Sequence, residues 1–236
     1  MSNISGCNCG TVRPDGQSDV RSIWMTEEPK SCVLKSGRIG DEELFRDILT
    51  VRNATDDRWP DQRTSVDYHS DHYCMYVDNL PVGSLGVTRA LDGEIFMAEY
   101  CPPRLLEEFH DSLVSAYRFR IKKEYRRSST LIPGISLSRQ IVREAWREQI
   151  SKGAGIDVIN IEKSYARLYE AMGYVLCDGS AYTDPVLGTE SCIMFLPVDP
   201  NRESFISDII KESDFHIPIE RVMKCLTRTS VYVANS

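Results

Sequence analysis

Residues 156–177 read IDVINI, EK, SYARLYEAMG and YVLC in succession, and this order leaves the chain few folds. IDVINI is β-branched and apolar, bounded by the Gly153-Ala154-Gly155 turn, as a buried strand requires. SYARLYEAMG has the period of a short helix that stops at Gly173, with Tyr169 on its buried side. YVLC then returns to strand. A short helix between two strands must lie on one face of their sheet, which places the chain among layered α/β architectures.

The flanking segments extend the pattern. GDEELFRDILTVRN predicts a helix, with acids in its first turn where the helix dipole favours them. HYCMYVDN and LPVGSLGVTRAL predict a hairpin turning at Asp78-Asn79, and IFMAEY a short strand ended by Pro102-Pro103. LVSAYRFRI predicts a strand. SLSRQIVREAWREQISKGAG predicts a long helix burying Leu137, Ile141, Val142, Ala145, Trp146 and Ile150, and SCIMFLPV a last strand. FISDII and IPIERVMKCL add C-terminal helices, with Pro218 at a first turn. The expected layout is one α/β domain over 31–198, a three-layer fold with a mixed central sheet flanked by helices. A helical extension covers 199–236, and residues 1–30, polar and without periodicity, form a poorly ordered arm.

Composition excludes some functions. With 42% hydrophobic residues and no long uninterrupted apolar run, no integral membrane segment is expected. The N-terminus lacks the apolar core of a secretory signal, so the eight cysteines are expected as thiols in the cytoplasm. Cys7 and Cys9 form a CxC pair with no matching ligand pair downstream, and no metal is expected. A net charge of -7 argues against general nucleic-acid binding. Yet RFRIKKEYRR gathers Arg118, Arg120, Lys122, Lys123, Arg126 and Arg127 around the lone acid Glu124, as an anionic partner docking at one place would require. The plain alternative is a solvated strand end.

The order of elements together with LYEAMGY resembles the GNAT superfamily of N-acyltransferases. There a helix with a pattern like LYxxxG(F/Y) follows the fifth strand and its tyrosine points at the sulfur of the acyl thioester; Tyr169 matches that place. DYHSDHYCMYVDNLPVGSLGVTR, preceded by Arg52 and Trp59, is similar to the N-acyl-homoserine-lactone synthases and the N-acyl amino acid synthases. Arg52, Trp59, Asp67, Tyr73 and Arg89 fall where those families carry an arginine on the first helix, a tryptophan, an acidic loop, a strand tyrosine and a strand-end arginine. Arg118 and Arg127 resemble their next strand and loop, although Ser115 stands where those relatives usually have a glutamate.

The resemblance implies an enzyme that moves a medium or long fatty acyl group from an acyl carrier protein thioester to an amine, with no bound cofactor beyond the acyl-pantetheine co-substrate. The amine would belong to an amino acid, a small metabolite or a peptide ornithine or lysine. Tyr169 would protonate the leaving sulfur and Glu99, or next His110, would be the base. The thioester carbonyl and pantetheine would be held near Phe119, Arg120 and Ile121 and by Arg126, Arg127, Ser128 and Ser129. Arg52, Trp59, Asp67, Arg89 and Arg118 either bind the acceptor or brace the fold as ion pairs and packing. Enzymes that use acetyl-CoA normally cradle its diphosphate in a glycine-rich loop, but here RRSSTLIPGIS offers one glycine and a proline, which favours a carrier protein with its single phosphate. Phe119, Ile121, Trp146, Val158, Ile159 and Met194 supply an apolar wall that either lines an acyl tunnel or closes on itself. CoA-dependent acetyl transfer and a catalytically silent binding module are the alternatives.

Overall fold

A computed structural model describes residues 31–55, 63–96, 98–126, 136–185 and 188–227. The expected arm over 1–30, Cys7, Cys9, Trp59, Arg127, Ser128, Ser129 and most of the RRSSTLIPG loop lie outside the described residues. Strand β1 (Cys32–Gly37) is followed by helix α1 (Glu42–Asn53), capped by Asp41, whose carboxylate accepts from the Leu44 amide at 3.0 Å. Strands β2 (Ser70–Val77) and β3 (Leu80–Arg89) form the hairpin; Asp78 and Asn79 both take positive φ, 51° and 65°, as a two-residue type I′ loop demands. Helix α2 (Pro103–Phe109), strand β4 (Leu113–Ile121) and helix α3 (Leu137–Ser151) follow. Then come β5 (Ile156–Glu162), α4 (Ala166–Glu170), β6 (Val175–Leu176), β7 (Tyr182–Thr183) and β8 (Glu190–Pro197). Helices α5 (Ser207–Lys211) and α6 (Ile219–Thr227) end the described chain.

The strands make one eight-stranded mixed sheet in the order β1-β2-β3-β4-β5-β8-β6, with β7 also on β8. Alternation sorts its faces. Tyr73, Met75, Val87, Val114, Ile159 and Met194 face α3, α4 and α5, whereas Cys74 and Tyr76 face α1 and Ile156, Val158 and Phe195 face α2 and α6. Helix α4 stops where Gly173 takes φ 99°; a side chain there would also sit 2.6 Å from Ser204 Cβ. None of the described helices is long and apolar enough to cross a membrane.

Several local expectations are corrected. Of IFMAEY, the described residues Ile95 and Phe96 lie outside any strand and Ala98–Tyr100 is a 3-10 turn, leading to Pro103 at the first position of α2, a helix that the sequence pattern does not signal. Pro at that position costs no hydrogen bond, so the proline pair starts an element as well as ending one. Strand β1 likewise has no clear signal in the sequence, because CVLKSG is half-exposed on an edge and carries little apolar alternation. Val158 belongs to the opposite face from Ile159 and Met194, so the proposed acyl wall is divided between two layers.

Candidate active site

Strands β4 and β5 run parallel and pair only at Leu113↔Ile156 and Val114↔Asp157, although both continue well beyond. A gap therefore opens in the middle of the sheet. On the other edge of β4 the register against β3 slips between Ser84 and Gly86, where Arg118 takes φ 49°. Such a bulge bends the strand and re-aims its side chains. Past the bulge, the Lys122 amide donates to Val82 O on β3 at 2.9 Å, so alternation turns the main-chain groups of Phe119 and Ile121 toward the gap. Arg120 Nη1 donates to Phe119 O at 3.0 Å and Arg126 Nε to Ile121 O at 3.2 Å, which draws both guanidinium groups to its rim.

Asp157 sits at the foot of the gap, with none of its surface exposed. Its Oδ1 accepts from the Ala116 amide at 2.9 Å and its Oδ2 from the Tyr174 hydroxyl at 2.6 Å. Burial pushes its carboxyl up to about 6, although the donors from Tyr174 and Ala116 pull the other way. The Tyr174 ring meets the Tyr169 ring edge-on at 5.5 Å. Tyr169 is half-buried, its hydroxyl makes no hydrogen bond among the described residues, and burial, together with the Asp157 charge, raises its pKa. It therefore stays protonated near neutral pH, as a proton donor must. Between this point and α3 lies a cavity of ≈ 10 Å³ lined by Leu85, Val87, Ala116, Trp146, Gln149 and Asp157 among others, room for about one water.

The opposite face carries a second polar cluster. Asp67, fully buried, receives Arg52 Nη1 and Nη2 at 3.3 Å, the Tyr117 hydroxyl at 2.8 Å and the Thr64 amide at 2.9 Å, with Arg118 Nη1 at 3.6 Å. Burial pushes this carboxyl up, but the Arg52 charge and the donated hydrogen bonds outweigh it, and the group ends below its ordinary value. His72 Nε2 lies 3.0 Å from Asp67 O, and burial depresses the imidazole, keeping it neutral. Phe96 stacks on Tyr117 at 5.2 Å.

The structure thus joins Arg52, Asp67 and Arg118 and leaves Arg89 apart, since alternation along β3 puts Arg89 on the face of Val87. Arg118 leaves the expected basic stripe by turning inward to Asp67. Glu99 is exposed in the 3-10 turn beside Tyr100, whose ring stacks on Tyr182 at 3.7 Å. His110 is exposed next to Asp111 at 3.2 Å. Asp157, Tyr174, Tyr117 and His72 were not singled out in the sequence; the signal for Asp157 was a carboxylate inside an otherwise apolar strand, which costs energy unless it is fully hydrogen-bonded.

No family model matches the chain and no curated protein matches it. Solved structures do. FeeM, an N-acyl amino acid synthase from uncultured soil microbes, matches at 10% identity over 81% of this chain and 97% of its own, with a TM-score of 0.52. BjaI, a CoA-dependent acyl-homoserine lactone synthase, matches at 12% over 83% and 99%, TM-score 0.53. The AHL synthase LasI matches at 11% over 80% and 99%, TM-score 0.51. Topology, the parted central strands and these likenesses agree that the chain has a GNAT-like fold, which it shares with these synthases.

Proposed function

We propose that this protein is an N-acyltransferase that moves a fatty acyl group from a pantetheine thioester, delivered on acyl carrier protein, to an amine. The observation that carries the reading is the β4–β5 gap, with Tyr169 beside it and the amides of Phe119 and Ile121 turned into it. The amine nitrogen attacks the thioester carbonyl, the C–S bond breaks, and the sulfur takes a proton from Tyr169 while the nitrogen loses one to Glu99 or to solvent. The strand amides would hold the carbonyl oxygen as charge develops on it. Arg120 and Arg126, with Lys122 and Lys123 nearby, put positive charge at the mouth, where a phosphopantetheine arm on an acidic carrier would enter. Arg127, Ser128 and Ser129 are proposed to continue that surface, and Trp59, Arg52, Asp67, Arg89 and Arg118 to shape the acceptor side.

The small apolar cavity behind Ala116 points an acyl chain toward α3, but a long chain needs Trp146 or Val142 to give way. That narrowness favours a second reading, short-chain transfer from CoA. BjaI, which has a similar fold, is a CoA-dependent synthase, and this supports CoA as an alternative donor. Turnover of thioesters from two to sixteen carbons, each on CoA and on acyl carrier protein with a panel of amines, decides between them. Long chains preferred on the carrier support the proposal; acetyl-CoA turned over equally well refutes the fatty-acyl part, and no turnover of any thioester refutes the enzyme.

A further inference from the structure

We infer that Asp157 is a positioning residue whose carboxylate, by capturing the Ala116 amide, ends the β4–β5 ladder and holds open the gap between the strands. The inference that this opening serves a thioester rests on the acyl-transfer reading; the structural role does not. At the closed end the Gly155 and Ile156 amides both donate to Ser112 O, at 2.8 and 3.2 Å, and the parallel pairing then runs from Leu113↔Ile156 to Val114↔Asp157. Continued by the same repeat, the Ala116 amide would donate to a main-chain carbonyl of β5. It donates instead to the Asp157 side chain at 2.9 Å, and the Val158 amide also faces that carboxylate. The second oxygen is held by the Tyr174 hydroxyl at 2.6 Å. An acceptor on a side chain satisfies the β4 amide without bringing the β5 backbone to the ~4.8 Å spacing of paired strands.

Packing alone gives no reason for this residue. Its strand neighbours Ile156, Val158 and Ile159 are all buried and apolar, and a carboxylate among them is costly unless its oxygens are used. What an apolar residue could not do there is accept the Ala116 amide.

The test uses the full chain with Asp157→Val, Asp157→Ser and Asp157→Asn, read by site-resolved amide hydrogen exchange and by steady-state kinetics. Valine cannot accept and serine is too short to reach, so in both the strands should close further and exchange at Phe119 and Ile121 should slow about tenfold or more. Turnover should fall roughly a hundredfold in kcat, with the acceptor KM changed less than about threefold. Asparagine keeps an acceptor oxygen and should restore the wild-type exchange pattern and most of the turnover. Unchanged exchange in the valine and serine variants overturns the inference whatever happens to turnover. So does failure of both to fold while the asparagine variant folds, since Asp157 would then serve stability alone. If exchange responds as expected but the wild type turns over no thioester, the wedge stands and the acyl-transfer reading falls.

Discussion

Arg52 and Asp67 face each other in the interior 3.3 Å apart, with side chains 2% and 0% exposed. A pair this deep contributes little when replaced as a unit, but removing one partner strands the other as a buried charge. Arg52→Met should therefore destabilise the protein by about 3–5 kcal/mol, toward the lower end because Arg118 remains within 3.6 Å of the carboxylate. Urea unfolding measures it. A loss below about 1 kcal/mol, accompanied by a raised acceptor KM, would instead identify Arg52 as an acceptor ligand.

Asp67 and Asp157 should give opposite pH dependences. The Asp157 carboxyl is raised to about 6 by burial, so the fold prefers it protonated. Its contribution is fully present below the ordinary carboxyl range near pH 4 and is lost as pH rises through about 6, a change on the order of 3 kcal/mol. Asp67, held below its ordinary value, contributes above that range and loses its share only in stronger acid. The stability difference between wild type and Asp157→Asn should shift in favour of the variant between pH 4 and pH 7. A difference that stays flat across that window would mean that Asp157 does not titrate there.

Gly86 lies under the Tyr117 ring: a β-carbon on it would come within 2.6 Å of the ring. That ring cannot swing away freely, because Phe96 stacks on it and its hydroxyl is held by Asp67 at 2.8 Å. Gly86→Ala should cost about 1–3 kcal/mol as overpacking. A neutral substitution, by thermal or denaturant unfolding, would show that the ring repacks.

Tyr169→Phe removes a hydroxyl that has no hydrogen-bond partner among the described residues, so the melting temperature should hardly move. Acyl transfer should nonetheless drop about ten- to a hundredfold in kcat, the range of a positioned acid. Full turnover in the phenylalanine variant would leave Tyr169 as packing for Tyr174.

Arg126 holds Ile121 O through Nε at 3.2 Å on an otherwise exposed side chain. Arg126→Ala should weaken use of acyl carrier protein more than use of acyl-CoA, and wild-type turnover on the carrier should fall with salt, since exposed charges are screened beyond about 10 Å at 0.1 M. Equal losses with both donors, insensitive to salt, would place Arg126 in strand support alone.

Periodicity along the chain determined the elements that bury one clear stripe: α1, the β2–β3 hairpin with its Asp78-Asn79 turn, β4, α3, β5 and β8 all lie where the pattern puts them. Order and the LYEAMGY segment were enough to expect the fold. Elements without a stripe escaped, as β1 on a half-exposed edge and α2 behind a proline pair both did. The site divides the same way. Tyr169, Arg52 and Asp67 stood out as candidates because each belongs to a local pattern, but which residues meet is a matter of pairing over long sequence separations. Tertiary structure alone brought Asp157 to Ala116 and Tyr174 and turned Arg118 inward to Asp67. The physical reason is that a one-residue bulge in β4 and a ladder that stops after Val114 redirect every side chain beyond them, and neither event leaves a mark in hydrophobic periodicity.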